Sequence, residues 1–254
     1  MDLGLTGKRA LITGGSRGIG RAIAELLAAE GCALAICARG EEGLRAAAAE
    51  LRAGGATVHD AVVDVADGAT LAAFVGSADS ALGGLDIVVS NASAGGGLSG
   101  PEQWPTSFQT DLLAFVRLAE AVTEPLARSR GALVAVATTS AADTSPPSGP
   151  GSYGALKAAL IHHASGLAHA LAPRGVRVNV VSPGPIEFPG GSWERRKDDK
   201  PEFYRSIRDR IPVGRLGRPE EVAAAVAFLA SPVAGFCAGS NLVVDGGFLT
   251  RVDF

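Results

Sequence analysis

Two residues on one predicted helix have the chemistry to move a proton. Tyr153 and Lys157 stand four positions apart in Ser152-Tyr-Gly-Ala-Leu-Lys157, so on a helix both side chains leave the same face. A phenol has a pKa of about 10, and lowering it by one unit requires about 1.4 kcal/mol. A neighbouring ammonium group and further positive charge together supply the roughly 4 kcal/mol that brings it near neutral pH. The pair therefore predicts a general acid or base.

A second pattern, near the start of the chain, predicts an anion-binding turn. The apolar run 8–12 is typical of a buried strand and leads into Thr13-Gly-Gly-Ser-Arg-Gly-Ile-Gly20. Residues 21–28 then show helical spacing of apolar side chains. Free N–H groups and the dipole at a helix N-terminus attract phosphate, and glycine lets the backbone come close to it. The glycine spacing differs from the G-x-G-x-x-G fingerprint.

Together these motifs resemble the classical short-chain dehydrogenase/reductase family, and the likeness runs through nearly the whole chain. T-G-x-x-x-G-x-G, Y-x-x-x-K and a later Pro183-Gly184 occur in the family's order. The resemblance implies that Tyr153 exchanges a proton with a carbonyl or alcohol. It further implies that Lys157 lowers the pKa of that tyrosine and holds the nicotinamide ribose.

The family also uses a serine hydroxyl to bind the substrate oxygen. Counting back from Tyr153 by the family's usual separation gives Ser140, whereas aligning from the strand 131–136 gives Thr138 and an insertion in 143–149. Either hydroxyl can donate a hydrogen bond to an oxyanion, and Ser140 is favoured. Two positions depart from the family: its Asn-Asn-Ala-Gly appears as Ser90-Asn-Ala-Ser93, and its helix asparagine falls at Asp111. A carboxylate there would compete for Lys157 and tend to raise the pKa of the tyrosine.

Charge at the end of the second predicted strand indicates which dinucleotide the chain binds. An acid there would bind the ribose 2′-OH of NAD, whereas a basic residue favours the 2′-phosphate of NADP. That strand ends in Ile36-Cys-Ala-Arg39, and Arg17 lies inside the glycine turn. We expect NADP(H), with NAD(H) as the alternative. The resemblance implies a threonine two positions after Ile186 that contacts the pyrophosphate, and Phe188 stands there instead. The cofactor-binding residues that the resemblance implies are Gly14, Ser16, Arg17, Gly18, Ile19, Arg39, Asp64, Val65, Asn91, Ala92, Tyr153, Lys157, Pro183, Gly184 and Ile186.

Composition fits a single α/β domain. With 254 residues, 47% of them hydrophobic, the chain can bury one large core. A net charge of −3 gives no indication of nucleic-acid binding, and three scattered cysteines form no metal or disulfide pattern. His162, His163 and His169 are interpreted as packing or interface residues, so no metal is expected. The start of the chain has no secretion signal and no stretch is long and apolar enough for a membrane span, which favours the cytoplasm.

Strand-like runs alternate with alanine-rich helical runs, which predicts a Rossmann-like doubly wound parallel sheet with helices on both faces. We expect one NAD(P)-binding domain over 1–254, with a substrate lid around 188–212. Loops at 95–97 and 145–151 are expected beside the active site. The predicted strands are Lys8–Ile12, Ala33–Cys37, Thr57–Val63, Leu85–Val89, Ala132–Val136, Arg177–Val181 and Asn241–Val244.

The lid segment indicates what the substrate would meet. It carries Trp193, Phe203 and Tyr204 for apolar contact, and its basic side chains suit an anionic substrate or an acyl chain on phosphopantetheine, although charge runs are usually solvated. The basic residues are Arg195, Arg196, Lys197, Lys200, Arg205, Arg208 and Arg210.

Three functions remain open from the sequence. The leading hypothesis is an NADPH-dependent reductase of a ketone, such as a 3-oxoacyl thioester. An NAD-dependent alcohol dehydrogenase of the same family is the alternative, and a dinucleotide-binding regulator without turnover is suggested by Ser90, Ser93 and Asp111. The resemblance also implies a homotetramer or homodimer. Neither the substrate nor the physiological direction follows from the sequence.

Overall fold

A computed structural model describes residues 1–96, 100–145, 147 and 149–250. Within them, seven parallel strands form one sheet in the order β3-β2-β1-β4-β5-β6-β7, which confirms the doubly wound prediction. Each predicted strand is found, with ends that differ by one or two residues. The strands are β1 (Arg9–Thr13), β2 (Ala33–Ala38), β3 (Val58–Val62), β4 (Ile87–Ser90), β5 (Ala132–Val136), β6 (Arg177–Pro183) and β7 (Asn241–Val244).

Helices cover both faces of the sheet. Longer helices follow β1 to β6. After β4, a short α-helix (Trp104–Ser107), a π-helical segment (Phe108–Leu113) and a longer α-helix (Ala114–Ser129) follow one another without a break. Of the predicted loops beside the active site, Gly97, Pro146 and Ser148 lie outside the described residues. The helices are α1 (Gly18–Ala29), α2 (Glu41–Ala53), α3 (Gly68–Leu82), α4 (Trp104–Ser107), α5 (Ala114–Ser129), α6 (Ser152–Leu171), α7 (Ser192–Asp199), α8 (Pro201–Arg208) and α9 (Pro219–Ala230).

Successive residues along the strands belong alternately to two hydrophobic cores, one on each face of the sheet. Ile12 and Val89 point to the face covered by α1, α2 and α9, whereas Leu11 and Val88 point to the face covered by α3, α5 and α6. Strands that are apolar on both sides are expected when helices sandwich a parallel sheet. This packing fixes the carboxyl ends of the strands relative to one another.

The chain reverses its direction of strand addition next to β1. β1 pairs with β2 on one side and with β4 on the other, so the connections after β1 and β4 leave on opposite faces. A crevice opens at such a switch point, beyond the carboxyl ends of the strands. The glycine turn after Thr13 and the segment after Ser90 therefore lie together.

The predicted lid folds into α7 and α8. Its apolar residues form a third, smaller core in which Trp193 stacks on Phe203 with ring centroids 6.1 Å apart. Phe248, near the end of the described chain, belongs to the same cluster. The lid is thus held against the body by its own aromatic packing rather than by the sheet. Among the described helices, none is both long enough and apolar enough to cross a membrane.

Candidate functional site

The glycine turn forms a cradle between β1 and α1. Gly14 has a φ of +71°, a conformation that favours glycine. A Cβ on Gly20 would lie 2.2 Å from the Gly14 carbonyl oxygen, so no larger residue fits there. α1 begins at Gly18, and no side chain of the described residues caps its first turn. Its free N–H groups can therefore receive a phosphate, as the sequence predicts.

A hydrogen-bonded link joins this turn to the segment after β4. The Thr13 hydroxyl oxygen accepts from the backbone N–H groups of Asn91 and Ala92, at 3.0 and 3.1 Å. The Asn91 side-chain amide donates to the carbonyl oxygens of Thr13 and Gly14, at 3.0 and 3.2 Å. These four bonds hold the walls of the crevice at a fixed separation.

The crevice contains a cavity of about 530 Å³, within the usual size of cofactor pockets. Phe188 and Thr110 also line this cavity. The Phe188 ring packs directly on Gly18, since a Cβ on Gly18 would lie 2.7 Å from it. The predicted cofactor residues that line this cavity are Gly14, Ser16, Arg17, Ile19, Arg39, Val65, Asn91 and Ala92.

The other predicted cofactor residues lie elsewhere. Asp64 is exposed, and its carboxylate accepts from the Ala66 N–H at 3.0 Å, which shapes the turn after β3. Pro183 and Ile186 are buried at and beyond the end of β6. Gly184 lines a second cavity together with Tyr153. A further cavity of about 710 Å³ lies at the opposite edge of the sheet, around the first residues of β4 and β6, remote from all of these.

Tyr153 and Lys157 lie one turn apart at the start of α6, as predicted. The Lys157 side chain is 2% exposed, and its Nζ donates to the Val136 carbonyl oxygen at 3.0 Å. Burial lowers the pKa of Lys157, and the nearby Asp111 carboxylate opposes that change. The Gly96 backbone packs on the Tyr153 ring: a Cβ on Gly96 would lie 2.9 Å from it.

The expected depression of the tyrosine pKa is not found in this structure. Burial and the Asp111 charge raise the pKa of Tyr153 to about 12, and hydrogen bonds with Thr138 and Ser93 only partly oppose them. The main reason is that burial disfavours the charged phenolate, and the negative charge of Asp111 adds to that effect. Tyr153 is therefore a protonated phenol at neutral pH, which suits a proton donor more than an acceptor.

Asp111 lies in the π-helical segment, a type of helix often found at functional sites. Its Oδ1 is 3.5 Å from Lys157 Nζ and accepts a 2.5 Å hydrogen bond from the Ser93 hydroxyl. Its Oδ2 is buried and finds no hydrogen-bond partner among the described residues. The Ser93 oxygen in turn accepts from the Gly95 N–H at 2.9 Å. The two departures from the family pattern, Ser93 and Asp111, thus contact each other.

The hydroxyls of Thr138 and Ser93 lower the pKa of Tyr153 by hydrogen bonding. Thr138 ends the β5 segment, is 9% exposed, and accepts from the Ser140 N–H at 3.2 Å. Ser140 lies one short turn further on, with its carbonyl oxygen against Gly154 of α6. Thr138 and Ser140 both line the second cavity together with Tyr153, so each of the two alignments places a hydroxyl in the same space as the phenol.

This second cavity, which we call the substrate cavity, has a volume of about 120 Å³. It lies between the end of β5, the start of α6 and the lid helix α7. Its lining residues are Gly96, Thr138, Thr139, Ser140, Pro147, Tyr153, Gly184, Pro185, Ser192, Trp193, Arg196 and Phe248. A proton donor, a second hydroxyl and a cation therefore face one small space.

Comparison with known proteins identifies the family. A short-chain dehydrogenase/reductase model described as enoyl-(acyl carrier protein) reductase matches residues 14–249. The chain is a short-chain dehydrogenase/reductase. It is 37% identical to isoepoxydon dehydrogenase patN of Penicillium expansum, across 100% of this chain and 99% of the relative. It is 37% identical to the 3-oxoacyl-acyl-carrier-protein reductase FabG of Escherichia coli, across 95% and 97% of the two chains.

The fold of this dehydrogenase/reductase matches solved structures. L-sorbose reductase of Gluconobacter frateurii, complexed with NADPH and L-sorbose, superposes with a TM-score of 0.89 at 33% identity. The match covers 99% of this chain and 100% of that one. The protein is accordingly an NAD(P)-dependent oxidoreductase that acts on CH–OH or C=O groups. The described part of the chain contains no group of three or more His, Cys, Asp or Glu residues that could hold a metal ion.

Three contributors to the site escaped prediction from the sequence. Thr110 lines the cofactor cavity, Gly96 packs on the Tyr153 ring, and Ser93 binds Asp111. Ser93 left a signal, since it and Asp111 depart from the family pattern together. Gly96 belongs to the loop 95–97 that was expected beside the active site, whereas nothing in the sequence singles out Thr110.

Proposed function

We propose that this protein is an NADPH-dependent reductase that converts a small ketone into an alcohol. The observation that carries the proposal is that Tyr153 lines the substrate cavity together with the hydroxyl-bearing residues Thr138 and Ser140. Reduction of a ketone requires a hydride at carbon and a proton at oxygen. Tyr153 supplies that proton, and its raised pKa keeps it in the donating form.

The 530 Å³ cavity fits a dinucleotide. Gly14 and Gly20 let the turn close tightly, since a Cβ on Gly20 would lie 2.2 Å from the Gly14 carbonyl oxygen. The free N–H groups at the start of α1 can then receive the pyrophosphate. Arg17 and Arg39 both line the cavity and are exposed, so their guanidinium groups can bind the 2′-phosphate of NADP. When bound, NADPH supplies the hydride. The L-sorbose reductase that shares this fold contains NADPH, which supports the same choice here.

Each remaining residue of the site has a separate task. The Thr138 hydroxyl donates to the substrate oxygen and holds it near the Tyr153 oxygen, in the role that the sequence favoured for Ser140. Lys157 is fixed by Val136 and Asp111, and from there it anchors the ribose beside the phenol. Ser93 and Asp111 join the loop after β4 to the helix that follows. The lid covers the cavity and limits access of water through Trp193.

The size of the substrate cavity favours a short ketone over a long acyl chain. A volume of about 120 Å³ holds about four water molecules at ~30 Å³ each. A 3-oxoacyl thioester, the substrate type named for FabG, would need the lid to open further. The dehydrogenase direction remains the second candidate, because patN is named a dehydrogenase and is similar over its whole length.

A panel of ketones and alcohols tested against NADPH, NADH and their oxidised forms decides among these functions. The proposal predicts oxidation of NADPH with a short ketone, at a kcat/KM at least tenfold above that with NADH. Preferential oxidation of alcohols with NAD would favour the dehydrogenase. Binding of NADPH without turnover of any compound would favour the regulator and overturn the proposed function.

We also propose that the protein works as a homotetramer or homodimer in the cytoplasm. The edge strand β7 and the segment that precedes it expose three apolar side chains that a second copy would cover: Phe236, Val233 and Leu242. Light scattering should give a mass above the 25.6 kDa of one chain, and Phe236→Asp should reduce it. Cell fractionation tests the location. A single-chain mass for the unsubstituted protein would refute the assembly.

A further inference from the structure

One lid cation differs from its neighbours in its surroundings. Arg196 on α7 is half-buried, and its guanidinium carbon lies 4.7 Å from the centre of the Trp193 ring. Burial lowers the pKa of this side chain, and the neighbouring Arg195 adds to the effect. Its one hydrogen bond within the described residues is a long one, 3.4 Å, to the Gly96 carbonyl oxygen. Most of the N–H donors of this guanidinium are therefore available to bind another group.

Two other basic side chains of the lid, those of Lys197 and Arg210, have acidic partners. Lys197 Nζ lies 3.0 Å from the Glu187 carboxylate, and Arg210 lies 3.6 Å from that of Asp143. For Arg196, no carboxylate of the described residues lies within 4.0 Å of the guanidinium. The described wall of the substrate cavity contains no acid either. A half-buried guanidinium without a counter-charge is costly unless a ligand provides one.

We propose that Arg196 binds a carboxylate on the substrate, so that the preferred substrate is a short ketone with a carboxylate group. This inference rests on the proposed reductase function and adds the substrate class. Arg196 and Tyr153 both line the 120 Å³ substrate cavity, with Thr138 beside the phenol. The guanidinium holds the carboxylate through two parallel hydrogen bonds, while the stacked Trp193 ring fixes its plane. The ketone of the same molecule then faces Tyr153.

Equilibrium binding tests this inference without turnover. Trp193 lies against Arg196, so its fluorescence should respond when a carboxylate enters the cavity of the NADP-loaded protein. Butyrate should give a saturable change, and butyramide, which has the same size without charge, should give none. Arg196→Gln should abolish the response to butyrate. Arg195→Gln is the matched control, because Arg195 is exposed and bonds to the Gly190 carbonyl oxygen.

Steady-state kinetics gives the second arm. For one short oxo acid and its amide, wild-type kcat/KM should favour the acid by at least tenfold, and Arg196→Gln should remove that preference. Arg196→Lys keeps the positive charge but cannot make the two parallel hydrogen bonds of a guanidinium, so it should restore only part of the preference for the acid. An equal response to butyrate and butyramide, or an equal loss of both substrates in Arg196→Gln, would overturn the inference. Failure to reduce any ketone while butyrate still binds would instead refute the proposed function alone.

Discussion

Asp111→Asn should move the pH dependence of ketone reduction. At 3.5 Å, Asp111 and Lys157 attract each other by about 5 kcal/mol at an effective dielectric constant of about 20. That attraction offsets the positive charge that would otherwise stabilise the phenolate. Removing the carboxylate should therefore lower the pKa of Tyr153 from about 12 by about 1 to 3.

The consequence for rate follows from the protonation state. Reduction uses the protonated phenol, so the rate falls as the pH rises through the pKa of Tyr153. Wild-type kcat/KM should stay level from neutral pH to about pH 11, whereas the variant should begin to fall at about pH 8 to 10 and then lose about tenfold per pH unit above its lowered pKa. Alcohol oxidation, which needs the phenolate, should gain at the same pH. Loss of NADPH absorbance measures the first rate, and its appearance measures the second.

Ser93→Ala is the matched control, because it removes the hydrogen bond to Asp111 and keeps the charge. Its pH profile should stay level to at least the same pH as that of the wild type, because the change also removes a hydrogen bond that lowers the pKa of Tyr153. Leaving Lys157 buried without a counter-charge costs up to about 3–5 kcal/mol, so the melting temperature of each variant should be recorded alongside. Identical profiles for wild type and a folded Asp111→Asn variant would refute the electrostatic reasoning.

Three further predictions concern the cofactor, the glycine turn and acid stability. Arg39→Asp should weaken NADPH binding by about 10- to 150-fold, the equivalent of one or more charge-assisted hydrogen bonds, and leave NADH nearly unchanged; an equal loss of both in fluorescence titrations would refute the phosphate contact. Gly20→Ala should destabilise the fold by about 1–3 kcal/mol because its Cβ would lie 2.2 Å from the Gly14 carbonyl oxygen. Gly43→Ala, on the same cavity wall but with nothing within 4 Å of the added Cβ, should keep or raise the unfolding midpoint, because alanine favours helix α2 more than glycine does; similar midpoints for both variants would contradict the cradle geometry. Glu221 has its pKa lowered from 4.5 to about 2 by Arg215 and the Arg218 N–H, so its stabilisation is present above about pH 4.5 and is lost as the pH falls through about 2. Against Glu221→Gln the wild type should be about 0.5–1 kcal/mol more stable at neutral pH, a value discounted for the exposure of the pair; denaturant unfolding at a series of pH values would contradict this if the difference persisted in strong acid.

The sheet was predictable because its strands are apolar runs bounded by turn residues. Each run had to lie between helices, since both of its faces are apolar, and the alternation with helical segments left few arrangements other than a doubly wound sheet. The pairing of Tyr153 with Lys157 was likewise predictable from spacing alone. So was the cradle at Gly14 and Gly20, because a strand, a glycine turn and a helix meet there.

The finer contacts of the site depend on three-dimensional features that a count along the chain does not contain. Counting from Tyr153 favoured Ser140 and aligning from the strand gave Thr138; both line the substrate cavity with Tyr153, and Thr138 also lowers the pKa of the phenol. The Ser93–Asp111 bond joins residues 18 positions apart and depends on the π-helical segment that carries Asp111. The sequence could not tell which of the lid's basic residues enters the cavity, because helix direction and aromatic stacking decide that.

The Tyr153→Phe variant tests the central claim most directly, because it removes one oxygen and keeps the ring that packs against Gly96. The account predicts that kcat for ketone reduction falls by about 10²- to 10⁴-fold, the usual contribution of a general acid, while NADPH binding, measured by fluorescence, stays within about threefold. Turnover at the wild-type rate in a folded Tyr153→Phe protein would contradict it.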